Sequence, residues 1–300
     1  MKRNLHLLMI DPQNDFCDLP ETYRPIDPVS RQALAPALPV PGAHQDMLRL
    51  ASLINRGRAG LTAISLTLDS HHRFDIAHPT FWIAADGAPV APFTEITAAE
   101  VRAQKYLPRH PAGLALALNY LDRLEAAGRY RLMVWPVHCE IGSWGHNVHA
   151  DVRAAYSHWE EAALGIVAKL AKGSNPWTEH YSAVQAEVPY EDDPDTQFNT
   201  RFVRSLAEAD RIYVAGEAGS HCVKATVEHI ADYFEREYGA ASLRKLALIT
   251  DCVSPVSGFE PQYQSFLRAM QARGVQLMQS ADVLPELLDN ASRAVAMGNA

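Results

Sequence analysis

Short runs rich in Leu, Ile and Val, set between longer segments with helical spacing, constrain the fold of this chain more than any other feature. They fall at residues 5–10, 61–68, 131–135, 166–170, 211–215, 245–250 and 275–278. Their length and lack of polar alternation suit strands buried on both faces of a parallel sheet. Residues 44–58, 113–127, 222–237 and 262–273 between them carry helical periodicity. The pattern predicts repeated βα units in one doubly wound, Rossmann-like α/β domain spanning the chain. Residues 17–41 are studded with proline, and residues 75–111 mix Pro, Gly and aromatics without clear period. Both are read as long loop insertions.

At 300 residues and 48% hydrophobic content the chain can bury a sizeable core. A net charge of -8 lacks the basic surplus that a phosphate-backbone binder needs, which argues against nucleic acid as a partner. The apolar run after Met1-Lys2-Arg3 is too short for a signal peptide and stops at Asp11, and no stretch reaches the roughly 18 apolar residues of a membrane span. The expectation is a cytoplasmic protein that does not bind membranes. Cys17, Cys139, Cys222 and Cys252 show no paired spacing, so each is core filler or a reactive thiol. Two copies pairing through exposed helix or sheet faces would suit such a domain, but no residue pattern specifies an oligomer.

Ligands of open parallel sheets bind beyond the carboxyl ends of the strands. Polar residues cluster at those ends here: Asp11 after the first run, Asp69 and His71 after the second, His138 after the third, Lys172 after the fourth, and Cys222 shortly after the fifth. Cys222 lies in Gly216-Glu217-Ala218-Gly219-Ser220-His221-Cys222, which suits a tight strand-to-helix turn with a helix beginning near Ser220. A thiol there faces the positive end of the helix dipole and free backbone N–H groups, which favour thiolate and can receive an oxyanion. Asp11 is placed to exchange the thiol proton, and a cation at Lys172 would stabilise thiolate and carboxylate together. Taken alone, Asp11-Pro12 is a turn former and Lys172 a solvated lysine.

Asp69-Ser70-His71 puts a carboxylate and an imidazole two apart in extended chain, on one face. With His138 they make a three-ligand set suited to a divalent transition metal, zinc first, with iron or manganese also served by such donors. Chance pairs are expected among 13 histidines. His72 and His78 are candidates for a further ligand, whereas His146 and His149 read as helix-surface residues.

Taken together, Asp11-Pro12-Gln13-Asn14-Asp15-Phe16, Leu38-Pro39-Val40-Pro41-Gly42-Ala43, Asp69-Ser70-His71, Trp135-Pro136-Val137-His138-Cys139, Lys172-Gly173 with Tyr181-Ser182, and Gly216 through Cys222 run in the order of a known pattern. The chain resembles the nicotinamidase/pyrazinamidase branch of the isochorismatase-like cysteine hydrolases over nearly its whole length. The resemblance implies a triad of Asp11, Lys172 and Cys222, and metal ligation by Asp69, His71 and His138. It implies an oxyanion hole from the backbone N–H groups of Ala218 and Cys222, beside a non-proline cis peptide before Ala218. Phe16, Trp135, Gln13 and Tyr181 match positions around the substrate. The pattern departs at Ser70, where the family carries an aromatic, at Leu68, and in the two enlarged insertions, all expected around the pocket mouth.

The expected reaction is hydrolysis of a small carboxamide through a Cys222 thioester, with nicotinamide as the leading substrate. One alternative is a related hydrolase acting on another amide, a ureido compound or a vinyl ether, although those branches generally lack the metal ligands. Another is a catalytically idle member that binds a metabolite.

Overall fold

The computed structural model describes residues 1–298. In chain order the first half holds β1 (Leu5–Ile10), α1 (Ala43–Gly57), β2 (Ala63–Asp69), β3 (Trp82–Ala84), β4 (Thr94–Ile96), α2 (Ala98–Arg102), β5 (Tyr106–Pro108), α3 (Leu114–Ala127) and β6 (Leu132–Val134). The second half holds α4 (Ala150–Ala163), β7 (Ala168–Lys172), α5 (Thr200–Ala207), β8 (Arg211–Gly216), α6 (Cys222–Tyr238), β9 (Leu246–Ile249), α7 (Glu260–Arg273), β10 (Gln276–Met278) and α8 (Ser280–Gly298). No helix among the described residues is long and apolar enough to cross a membrane.

Six strands form one sheet in the order β10-β9-β8-β1-β2-β7, every pairing parallel. All residues of β1 are buried, as its unbroken apolar sequence requires of a central strand covered on both faces. Helix α1 packs against α4 and α8, and α6 against α5 and α7, giving the flanking helices of a doubly wound fold. Buried Met47, Leu50, Leu53, Ile54 and Gly57 show why α1 forms: the apolar residues return every three to four positions.

The chain leaves β1 toward β2 and β7, then returns to lay β8 against the other edge of β1. Strand order therefore reverses between β1 and β8. A crevice opens at such a switch point, beyond the carboxyl ends of the strands.

Two expectations are corrected. Residues 131–135 do not add a strand to the main sheet: β6 pairs antiparallel with β4, and β7 takes the edge beside β2. The second insertion is no plain loop, because β3 pairs antiparallel with β5 and the region builds its own core around Phe81, Trp82, Tyr120 and Leu121. The first insertion is tied down as well. Asp18 caps α1, its carboxylate accepting from the Gly42 and His44 N–H groups at 2.9 and 2.8 Å.

His149 is likewise no surface residue. Fully buried, it precedes α4, accepts from the Asp151 N–H, and shares a 2.9 Å hydrogen bond with His44. His6, in β1, is buried against the Ser65 hydroxyl at 2.8 Å. Burial holds both imidazoles down to about 4, with His44 adding to the effect at His149.

These two histidines stay neutral in the fold but become charged in the unfolded chain below about pH 6.5. The stability they contribute is complete above that value and is lost as pH falls toward their folded values, at about 1.4 kcal/mol per pH unit each. Urea unfolding should therefore give a lower free energy at pH 5 than at pH 7, and His6→Gln should flatten the dependence. Equal slopes for wild type and variant would contradict this assignment.

Candidate active site

Asp11 follows β1 directly, with a left-handed φ of 42° that turns its side chain back over the strand ends. It is completely buried. Its N–H donates to the Thr67 hydroxyl at 3.0 Å, and that hydroxyl donates to Asp11 Oδ1. Asp69 and Lys172 end adjacent strands β2 and β7 and are Cα partners in register. Lys172 Nζ reaches Asp69 Oδ1 at 2.8 Å, Asp11 Oδ2 at 3.0 Å and the His180 carbonyl at 2.9 Å. The same ammonium lies 3.6 Å from Cys222 Sγ.

Cys222 is the first residue of α6, two positions later than the sequence suggests, and His221 precedes it. Gly216 makes the turn between β8 and this helix possible, since its φ is +116° and a Cβ there would stand 1.9 Å from the Ile10 carbonyl oxygen. The Glu217–Ala218 peptide is cis. Among the described residues, neither the Ala218 nor the Cys222 N–H has a hydrogen-bond acceptor, so both remain free to meet an anionic oxygen.

Burial decides the resting charges. It pushes the Cys222 thiol well up, and the opposing Lys172 charge does not overcome it. Burial thus works against the thiolate that the helix dipole favours. Burial also raises the Asp11 carboxyl against the pull of Lys172. At Asp69 burial is overcome by His71 and Lys172, which hold its carboxyl well below the usual range. Burial likewise works against the Lys172 charge, and the Asp11 and Asp69 carboxylates more than restore it.

Next to this set stand the imidazoles of His71, His78 and His138, with ring nitrogens within 4.8 Å of one another. Asp69 Oδ2 lies 3.1 Å from His71 Nε2 and 3.4 Å from His138 Nε2. These separations match the edge of about 3.3 Å between ligands of a tetrahedral ion bound at about 2.0 Å. His71 Nδ1 is held by Asp75 at 2.9 Å, which fixes Nε2 toward the cluster. Burial opposes charge on His71, but Asp69 and Asp75 outweigh it and hold its pKa well above the usual range, so the local potential favours a cation. The residues present fit a bound divalent metal. Of the two further candidates, His78 joins the cluster and His72 is exposed.

A narrow cavity of about 20 Å³ lies over Cys222. Phe16, Trp135 and Tyr181 form an aromatic side to it, with His138 and Asp69 from the imidazole cluster and Leu38 and Val256 from loops. Trp135 Nε1 donates to the Tyr181 hydroxyl at 3.0 Å, locking the two rings together. In this state there is room for about one water, so a ring-sized ligand requires the loop residues to move.

Gln13 is not at this cavity. Its side-chain carbonyl accepts from Asp69 N–H at 2.7 Å and its amide donates to the Asp69 and His146 carbonyls at 2.8 and 3.0 Å, leaving no donor for a ligand. Ser70 and Leu68 are not at the mouth either: Ser70 is buried and bonded to His146 Nε2 at 2.9 Å, and neither residue lines the cavity. His146 is half-buried, held by that bond.

Sequence reasoning missed Glu179. Its carboxyl lines the cavity, burial raises its pKa, and Oε2 has no partner. The signal was faint, since Glu179 sits in an irregular segment between Lys172 and Tyr181. Thr67 and Asp75 were missed for a related reason: each acts only by touching a residue distant in strand space or folded back on itself. Cys17, Cys139 and Cys252 are buried and unpaired, as core filler should be.

No protein family model matches the chain, and no curated protein matches it. Solved structures do. A nicotinamidase/pyrazinamidase from Acinetobacter baumanii is 19% identical with a TM-score of 0.56, covering 94% of this chain and 98% of its own. The yeast nicotinamidase bound to the inhibitor nicotinaldehyde is 18% identical with a TM-score of 0.59, covering 92% and 99%. An L. infantum protein in complex with nicotinate is 18% identical with a TM-score of 0.52, covering 93% and 94%. The chain shares the fold of these proteins, as the sequence resemblance implied.

Gly216→Ala should lower the unfolding free energy by about 2 kcal/mol or more, because both the positive φ and the Ile10 contact oppose a Cβ. A urea midpoint unchanged from wild type would contradict the close approach of β8 to β1.

Proposed function

We propose that the chain is a cysteine amidase that hydrolyses a small carboxamide, with nicotinamide as the leading substrate. The observation that carries this reading is the position of Lys172 Nζ, within 3.0 Å of two carboxylates and 3.6 Å from the only thiol that lines the cavity. Aromatic walls beside that thiol suit a flat ring, and the fold is that of enzymes that act on nicotinamide.

In the proposed cycle Asp11 takes the Cys222 proton as sulfur attacks the carboxamide carbon. A raised Asp11 pKa makes the carboxylate a stronger base, and the Lys172 ammonium offsets the negative charge that moves between sulfur and carboxylate. The tetrahedral oxygen is received by the Ala218 and Cys222 N–H groups. Asp11 returns the proton to nitrogen, ammonia leaves, and a thioester remains on Cys222. Asp11 then deprotonates water, which attacks the thioester carbon and releases the acid, and the proton goes back to sulfur.

Asp69, His71 and His138 would hold one divalent transition metal, zinc being the best match to two imidazoles and a carboxylate. When bound, such an ion supplies a Lewis acid that can orient a heteroaromatic nitrogen of the substrate. Gln13 supports this arrangement by gripping the Asp69 backbone rather than by touching substrate.

Cys222→Ala should lower ammonia release from nicotinamide by about a thousandfold or more, with metal content and thermal midpoint unchanged. An active Cys222→Ala protein would sink the thioester route. His71→Ala should reduce bound transition metal, read by elemental analysis, from about one ion per chain to a small fraction; wild-type protein purified without stoichiometric metal would remove the metal from the proposal.

A further inference from the structure

The residue before Ala218 is a buried carboxyl that the amidase cycle does not use. Glu217 is 0% exposed and Asp46, in α1, is 2% exposed. Their carboxyl groups hydrogen-bond to each other. Glu217 Oε2 accepts from the Ser254 N–H at 3.1 Å, whereas Oε1 meets no N–H or O–H donor among the described residues. Asp46 is supplied from elsewhere, Arg49 donating to Oδ1 and the Ser254 hydroxyl to Oδ2. Ionised carboxylates only accept, so a bond between the two requires a proton on one of them.

The surroundings favour that proton. Burial first, and then Asp46, push the Glu217 carboxyl well above the usual range, and burial raises Asp46 as well. Asp18, from the first insertion, adds a third negative charge. The opposing cation is Arg49, which lies on Asp46 with 42% of its side chain exposed. Cys17, Cys252 and Tyr263 also face the pair, and burial pushes each of them up, so they carry no charge at neutral pH. Two carboxylates in contact without water do not both ionise.

The pair stands where three segments meet. At the end of β1, the Ile10 carbonyl accepts from the Glu217 N–H at 2.8 Å. The Ser254 carbonyl accepts from the Gly219 N–H at 2.8 Å, and Val256, which lines the thiol cavity, donates its N–H to Ser220 Oγ at 3.1 Å. Ser254 therefore takes from the turn's backbone, gives to the Glu217 side chain and reaches α1 through Asp46. Without the carboxyl pair, that turn would lose its side-chain tie to α1.

We propose that Glu217 is a positioning residue: it shares one proton with Asp46, and this carboxyl–carboxylate bond fixes the turn that presents the Ala218 N–H to the tetrahedral oxygen. The inference rests on the amidase reading for the step it serves, while the shared proton stands on residues outside that cycle. When the proton is lost, two like charges face each other in a dry site and push the turn away from α1.

Infrared spectroscopy reads the proton directly. Wild type at pH 7 should show the carbonyl stretch of a protonated carboxyl that Glu217→Gln lacks; identical spectra in that region would overturn the shared proton. Glu217→Gln keeps an acceptor for Ser254 and gives Asp46 a permanent donor, so its kcat on nicotinamide should stay within about twofold of wild type. Glu217→Ala should lose about tenfold in kcat, with KM changed by less than about twofold. Wild-type kcat should also fall at alkaline pH as the pair loses its proton, and Glu217→Gln should lack that fall. Nicotinaldehyde offers a measurement without turnover: its carbon bonds to Cys222 sulfur, and its oxygen takes the thiol proton and the place of the tetrahedral oxygen. It should bind Glu217→Ala about tenfold more weakly than wild type, and Glu217→Gln as wild type does. Thermal midpoints check that each variant is folded; should Glu217→Ala not fold, the alkaline profile of Glu217→Gln decides. Equal kcat in all three proteins, equal losses in both variants, or the same alkaline fall in wild type and Glu217→Gln would overturn the positioning role. Should wild type release no ammonia from nicotinamide, the amidase reading falls, and the infrared band and the aldehyde affinities decide the role of Glu217 by themselves.

Discussion

The structure depends on one buried ammonium. Lys172 is 3% exposed, and a charge so placed is tolerated only when it is paired and hydrogen-bonded. Its carboxylate partners come from two other strand ends, that of β2 through Asp69 and that of β1 through Asp11, so it ties three strand ends together. Removing either carboxylate would strand a charge in a dry environment, so the three strands and the helix that delivers Cys222 are bound to one register. The same contact joins two sites. Asp69 gives Oδ1 to Lys172 and turns Oδ2 toward His71 and His138, so its carboxylate belongs to both the thiol set and the imidazole cluster.

Burial around that ammonium sets the chemistry as well as the packing. Burial pushes up both the thiol and the Asp11 carboxyl beside Lys172, against the pull of the ammonium. Burial there opposes charge on sulfur, whereas the ammonium favours it. Supporting groups are spent on orientation: Thr67 fixes Asp11, Asp75 fixes His71, and Gln13 fixes the backbone of Asp69. None of the three lines the cavity, yet each aims a group that lines it or stands next to it.

Strand and helix positions were largely legible, because apolar runs without alternation and apolar residues at helical spacing each have one economical reading. The runs at 5–10 and 211–215 became neighbouring central strands, and the helices at 44–58 and 222–237 matched to within a residue or two. Residues 75–111 were opaque for a physical reason: strands of three residues, such as β3 and β5, are too short to show a period. The run at 131–135 misled in the opposite way, since its apolar residues serve the second core around Tyr120 and Leu121 rather than the main sheet.

By itself the sequence determined the element types and the chemistry available at the strand ends: a carboxylate at Asp11, a carboxylate and imidazole at Asp69 and His71, an imidazole at His138, an ammonium at Lys172 and a thiol at Cys222. These follow from local composition, which every residue carries wherever it is placed. Only the tertiary structure decided which of them meet. Strand order puts β8 beside β1 and β7 beside β2, which brings Cys222 to Asp11 across about 210 positions of chain and Lys172 to Asp69 across 103. It also decided what water reaches, and with that the charge on the thiol, the recruitment of His78 and the burial of His149. Neither pairing across strands nor desolvation is a property of a residue alone, so neither was written in the linear pattern.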